Sequence, residues 1–318
     1  MLKIKDLGEK DLLRWLEDFC QPGSLGDDAA LVSLPAGQDL VITTDMLVDK
    51  VHFSQQTTSP FDVGFRSAAA NLSDLAAMGA SPLGLTVGLS LPPELPLAWL
   101  EKLYQGINAL NTPIIGGDLT RSSVITICIT AIGQVSPSRV IKRSNAKAGD
   151  LIVSTGWHGL SRAGLELLLN PVLTEPLDLL TLELLIAAHQ RPCPRLDVVN
   201  VLWSIPQLDR VAGMDSSDGL ANAIVQICKS SKVGATIDSL SLAPSLQNWL
   251  TQEQAMDWTL YGGEDFELIL TMAPSFAKEL VFQLGPPAVI IGQITQELEI
   301  YLAGTSSSFD LSKGFQHF

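Results

Sequence analysis

Between Ser59 and Pro82 the chain carries a helix whose two ends are both written in residue type. Ser59 is placed to cap it. Pro60 takes the first helical position, where a missing N–H costs no bond, and Asp62 stands at the capping-box position. Gly79 suits the left-handed turn that closes a helix, and Pro82 blocks its continuation. The pattern predicts a helix from residue 60 to about residue 78. The flanking runs, residues 40–46 and 83–91, are rich in β-branched and aliphatic side chains and read as strands. A strand–helix–strand unit this well punctuated restricts the fold to helices layered on sheet.

The rest of the chain repeats that mixture. Leu12, Leu13, Leu16 and Phe19 recur at helical spacing and predict an amphipathic opening helix. Residues 29–34 and 124–135 read as strands, and 97–110 as a helix. Residues 136–150 (SPSRVIKRSNAKAGD) are polar, locally basic and without apolar periodicity, the pattern of a linker. Beyond them, strands are expected over 151–154, 235–238, 266–272 and 289–294. Helices are expected over 159–169, 177–189, 195–203 and 218–229. The expected class is α+β, with two mixed α/β domains at 1–137 and 148–318.

Composition agrees with two cores and excludes several functions. Of 318 residues, 46% are hydrophobic and 17% charged, which excludes a disordered chain. The 34 acidic against 20 basic residues give a net charge of −14. That balance argues against nucleic acid as a partner, because phosphate-backbone affinity comes from basic side chains. An acidic protein still handles phosphates when divalent cations lie between the two. Cys20, Cys128, Cys193 and Cys228 are scattered with no C-x-x-C pair, as expected of buried thiols in a reducing cytosol. The first twenty residues are broken by charges, unlike a signal peptide, and no apolar stretch reaches the roughly 20 residues that span a bilayer. A soluble, cytoplasmic protein with no membrane partner is expected.

The position of the acids is the functional signal. They fall at strand ends and glycine-flanked turns: Asp27 and Asp28 in GDD, Asp45 in TTD, Asp118 in GGD, Asp215 and Asp218 in MDSSDG, Glu264 and Asp265 in GGED. Asp74 lies inside the helix, in NLSDLAAMG. Any one Gly-Asp pair is an ordinary turn signal. The whole set, in an otherwise apolar chain, points to an oxygen-rich cage for hard cations, Mg²⁺ foremost. Alternation along VITTDML puts Thr43 and Asp45 on one face and Thr44 on the other, so Thr44 can offer a metal only its main-chain oxygen. In MDSSDG, Ser217 or Asp218 is equally suited to cap the following helix, and the same helix end favours a phosphate.

Other chemistries lack their motifs. The chain has no G-x-x-x-x-G-K-[ST] loop, no H-R-D or D-F-G, no G-x-S-x-G elbow and no H-E-x-x-H. GWHGLSRAG reads as a tight turn. His158, His189 and His317 have no partners at metal spacing and read as surface or packing residues. His52 differs in following the TTD strand closely.

Taken together, GDDAALV, VITTDMLVDKVHF, RSAAANLSDLAAMGA, IIGGDLTRS, KRSNAKAGD, MDSSDGL and GGEDFEL resemble, in order, the motifs of thiamine-monophosphate kinases. That family shares a superfamily with aminoimidazole ribonucleotide synthetase and selenophosphate synthetase. The resemblance runs from Gly26 to Leu268. It implies that Asp28, Thr43, Thr44, Asp45, Asp74, Asp118, Asp215 and Asp218 bind several Mg²⁺ ions. It assigns ATP contacts to Tyr104, Gly117, Asp118, Arg143 and Ser217, and thiamine monophosphate contacts to His52 and Glu264. Ser312, with Phe315 close by, stands where the family places an aromatic ring against the substrate. The resemblance also implies homodimers paired through the N-terminal sheet, a C-terminal α/β sandwich, and an active site completed by both domains.

The implied chemistry is direct, in-line phosphoryl transfer from ATP to thiamine monophosphate, with no residue standing out as a general base or covalent nucleophile. The acceptor phosphate is largely ionised at neutral pH, so charge repulsion between the substrates is the main barrier. One rival is another superfamily reaction of the cyclo-ligase type. The selenophosphate branch is disfavoured because Cys20 is followed by Gln21 rather than Lys. A rival from a different class is a non-catalytic protein that binds nucleotide or divalent ions.

Overall fold

A computed structural model describes residues 2–7, 9–22, 29, 32–302 and 309–314. The chain divides into two compact units, Met1–Leu75 with Ser81–Val135, and Ala76–Ala80 with Ser136–Phe318. Among the described residues, no helix is long and apolar enough to cross a membrane.

The first unit opens with α1 (Ile4–Leu7) and α2 (Glu9–Leu16). Then follow β1 (Asp39–Val48), α3 (Pro60–Ala77), β2 (Ser81–Leu91), α4 (Leu97–Asn108), β3 (Ile114–Arg121) and β4 (Thr126–Val135). Its sheet has the order β1-β4-β2-β3, antiparallel except for the β2–β3 pair. Alternation sets its faces. Ile127, Ile129 and Ala131 of β4, with Leu85, Val87 and Leu89 of β2, are buried. The residues between them on each strand are only part-buried.

Helix α3 begins as its sequence predicts. The Asp62 N–H donates to Ser59 Oγ (3.3 Å), Ser59 Oγ donates to the Asp62 carboxylate (2.5 Å), and Gly79 turns at φ +73°. Helices α3 and α4 touch through glycine. A Cβ on Gly64 would lie 1.9 Å from the Leu103 carbonyl oxygen, and one on Gly106 would lie 1.9 Å from that of Phe61. This contact seats Leu100, Leu103 and Ile107 in the core.

Two expectations change here. The described residues among 29–34, residues 29 and 32–34, form no strand. Conversely, GGD lies inside β3, not in a turn. Gly117 is needed there because a Cβ would lie 2.2 Å from the Val87 carbonyl oxygen of the paired strand.

The second unit contains β5 (Leu151–Ser154), α5 (Leu160–Leu169), α6 (Leu179–Gln190), α7 (Leu196–Leu202), β6 (Ala212–Asp215) and α8 (Leu220–Ser231). These are followed by β7 (Gly234–Ile237), α9 (Pro244–Gln247), α10 (Gln252–Tyr261), β8 (Leu268–Met272), α11 (Pro274–Leu284), β9 (Val289–Thr295) and β10 (Ile300–Leu302). The sheet order is β10-β7-β9-β5-β8-β6. One cluster packs α8 on the sheet through Leu220, Ile224 and Ile227, and another gathers Val198 and Leu202 of α7 with Leu280 of α11.

The expected linker is a fixed part of this unit. Ile141 is fully buried, and the Arg210 guanidinium makes two bonds to the Asp150 carboxylate (2.6 and 2.7 Å). Its polar composition reflects this ion pair and two 3₁₀ turns, Pro137–Arg139 and Arg143–Asn145, rather than a loose chain.

Candidate active site

In the first unit the expected residues gather where β1 faces α3. Inward positions along β1 alternate with exposed ones, which puts Thr43 and Asp45 on the α3 side and Thr44 opposite. The Thr43 hydroxyl donates to Asp74 Oδ2 (2.5 Å), and the Asp45 N–H donates to Asn71 Oδ1 (3.1 Å). Asn71 and Asp74 are one turn apart on α3, so both reach the same strand. Thr44 Oγ1 instead pairs with Thr130 Oγ1 across the strands (2.6 Å).

His52 sits in the turn that ends β1. The Val48 N–H donates to its Nδ1 (3.1 Å), which leaves Nε2 as the donor of the ring. Asp118 is exposed on the opposite edge strand, three strands from β1, about 14 Å by strand spacing. Tyr104 lies in the core of α4, 4% exposed, with its ring 5.4 Å from that of Phe19, and burial pushes its phenol pKa up. Asp28 lies outside the described residues.

In the second unit the MDSSDG turn lies against the GGED loop. The Ser216 N–H donates to the Glu267 carbonyl (2.8 Å), and the Glu264 N–H to the Ser217 carbonyl (2.6 Å). The loop is tightly wound, with Gly263, Glu264 and Phe266 all in the left-handed region at φ +69°, +56° and +53°. Asp215 is buried and accepts from the Ser217 hydroxyl (3.2 Å), whereas Asp218 is exposed and accepts from Asn222 Nδ2 (3.2 Å). Glu264 Oε2 is 3.8 Å from Nδ1 of the buried His189. Arg143 is exposed in its 3₁₀ turn, and Ser312 is exposed with its hydroxyl bonded to Asp310 (2.6 Å). Phe315 lies outside the described residues.

Of the residues that hold this loop, Arg195 and Thr155 carry no sequence signal, whereas Asp265, counted by sequence among the cage acids, is occupied in fixing the backbone. The Asp265 carboxylate accepts the N–H groups of Gly159 (2.7 Å) and Ser161 (2.9 Å) at the start of α5. Burial raises its pKa to about 7, against the lowering effect of those two bonds, and Glu267 and Glu264 raise it further. A raised carboxyl pKa means the folded state holds a proton that the unfolded state releases. Stability therefore falls as pH rises from about 4 to about 7. Urea midpoints should drop over that window in the wild type relative to Asp265→Asn, and parallel pH profiles would contradict the assignment.

Behind the loop, Arg195 bonds the Glu267 carboxylate and the Thr155 carbonyl (2.9 Å). The Thr155 hydroxyl also donates to Glu267 (2.6 Å). Among the described residues, no three His, Cys, Asp or Glu side chains gather at metal-binding spacing. The oxygen donors form two partial sets, Thr43, Asp45 and Asp74 in one unit and Asp215 and Asp218 in the other.

Comparisons with known proteins give the family. Residues 26–135 fit the family described as AIR synthase related protein, N-terminal domain, and residues 147–303 fit its C-terminal domain. A thiamine-monophosphate kinase of Synechococcus elongatus is 48% identical over 99% of this chain and 98% of its own length. The chain belongs to the thiamine-monophosphate kinase family. The crystal structure of the thiamine-monophosphate kinase from Stenotrophomonas maltophilia K279a has a TM-score of 0.80 and 35% identity, over 93% of this chain and 95% of that one. AaThiL complexed with AMPPCP and TMP has a TM-score of 0.75 and 28% identity, over 100% and 99% of the two chains. The two-sheet α+β architecture is thus the fold of thiamine-monophosphate kinases.

Proposed function

We propose that this protein transfers the γ-phosphoryl group of ATP to thiamine monophosphate, producing thiamine diphosphate and ADP. The observation that carries the reading is 48% identity across nearly the whole chain to a thiamine-monophosphate kinase. The structure of AaThiL with AMPPCP, an ATP analogue, and TMP supports both substrates.

Mg²⁺ suits the donor set, which is carboxylate and hydroxyl oxygen with no thiolate or imidazole. In the first unit Thr43, Asp45, Asp74, Asp28 and Asp118 would hold such ions, with Thr44 through its main-chain oxygen, and in the second Asp215 and Asp218 would do so. When bound, such ions would offset the charge of two phosphate substrates.

The protein's own groups act by position. Asp74 and Asn71 fix the β1 residues Thr43 and Asp45 against α3. Gly117, Asp118, Arg143 and Ser217 are the proposed nucleotide contacts, with Tyr104 a further one by resemblance. The Nε2 donor of His52 and the carboxylate of Glu264 orient the acceptor, with Ser312 at its edge. The acceptor oxygen is already ionised, so transfer needs neither a general base nor a phospho-enzyme.

The functional form is a cytoplasmic homodimer. The outward face of β1 exposes Leu40, Ile42 and Met46 at 46%, 60% and 55%, an apolar edge suited to a second copy. With ATP and Mg²⁺, ADP should form only when thiamine monophosphate is present, together with an equal amount of thiamine diphosphate. ADP release that ignores the acceptor would contradict the proposal, as would no turnover by folded, nucleotide-binding protein.

A further inference from the structure

We propose that His158 is a positioning residue for the MDSSDG turn, acting through a directional hydrogen-bond chain that ends on the Ser216 hydroxyl. The inference rests on the assignment of Asp215, Ser217 and Asp218 to nucleotide and metal binding.

The direction of the chain follows from counting protons. Ser154, His158 and Ser216 are all at least 98% buried, so water does not complete their bonding. Ser154 Oγ donates its single proton to the Gly156 carbonyl (3.0 Å). Its contact with His158 Nδ1 (3.4 Å) is therefore made by the ring N–H. A neutral imidazole has only one N–H, which leaves Nε2 as an acceptor. Ser216 Oγ, 3.1 Å away, donates to it. Burial holds the ring in that neutral form, lowering its pKa to about 4.

Ser216 is thus fixed at three points. Its side chain ends on His158, its N–H on the Glu267 carbonyl (2.8 Å), and its carbonyl accepts the Gly219 N–H (3.0 Å). Asp215 and Ser217 flank it directly, so any swing of Ser216 redirects both. His158 is itself held by the Thr259 hydroxyl, which donates to its carbonyl (3.4 Å), and is followed by Gly159, whose N–H is bound by Asp265. The imidazole joins the end of β5 to the turn that carries the assigned ligands. Sequence spacing alone shows only a histidine without a metal-spaced partner.

The test is His158→Leu, which keeps apolar volume but leaves the buried Ser216 proton without an acceptor. Equilibrium binding of ATP with Mg²⁺ should weaken about tenfold. Amide exchange at Ser216 and Gly219 should quicken. His158→Gln, whose amide oxygen can stand in for Nε2, should recover most of the affinity. Ser216→Ala should cost little more in the His158→Leu background than that variant alone.

A folded His158→Leu with unchanged ATP binding and unchanged exchange would overturn the inference. Strict additivity of the two substitutions would do the same. Failure of the wild type to bind ATP with Mg²⁺ would instead overturn the site assignment, and the exchange measurement would still decide whether His158 fixes the turn.

Discussion

Replacing Asp74 with Asn is expected to lower kcat by about 10³-fold while the fold survives. Asp74 accepts the Thr43 hydroxyl on the strand that also carries Asp45, so its carboxylate orders that strand and, as proposed, would supply anionic oxygen to a hard cation. An amide of the same size keeps the packing of α3 but removes the charge. The loss of one charge-stabilising group at a phosphoryl-transfer site is worth about 4 kcal/mol, or a factor of about 10³. The half-saturating Mg²⁺ concentration should rise with the fall in kcat, and thermal melting should move little. Full activity in both Asp74→Asn and Asp45→Asn would sink the assignment of these residues.

The second large effect is on stability. Arg195 and Glu267 form an ion pair with side chains only 13% and 14% exposed. Arg195→Met leaves the Glu267 carboxylate buried without its cation, a loss of about 3–5 kcal/mol. For a unit of this size the melting temperature should fall by about 10 °C. The damage should reach the site, because the Glu267 main chain also holds Ser216. Adding Glu267→Gln should recover part of the loss, since the unpaired charge is then gone. A melting point within 2 °C of the wild type, about the shift expected for under 1 kcal/mol, would show that the pair is not structural.

How far the sequence was legible depended on whether the signal was local. Ser59, Pro60, Asp62 and Gly79 mark both ends of α3, and period-two alternation placed Thr43 and Asp45 on one face of β1. Local rules also misled. Glycine beside aspartate reads as a turn, yet in GGD the glycine is there because β3 runs too close to the Val87 carbonyl for a side chain. Helix α10 leaves little trace in the sequence although Thr251 and Gln254 form a capping box, because its interior lacks a clear apolar stripe. The polar segment 136–150 resembled a linker because its ion-pair partner, Arg210, lies 60 residues from Asp150.

The site shows the same division. The acids beside glycine were visible as a set, and the family resemblance assigned them roles. The groups that aim them were not. Arg195 and Glu267 are 72 residues apart in sequence, and His158 and Ser216 are 58 apart, so neither contact leaves a periodic or motif trace. Gly159 and Ser161 meet Asp265 only because the GGED loop folds back through three left-handed residues. Long-range fixing of this kind is a property of the packed structure.

The central claim is direct transfer between two phosphates, and it is tested by following the phosphoryl group itself. ATP labelled at the γ-phosphorus is incubated with thiamine monophosphate and Mg²⁺, and the label is located by product and by position. The account predicts label in the terminal phosphate of thiamine diphosphate, in step with ADP, and none on the protein. Label recovered as inorganic phosphate, or retained covalently on the chain, would contradict it.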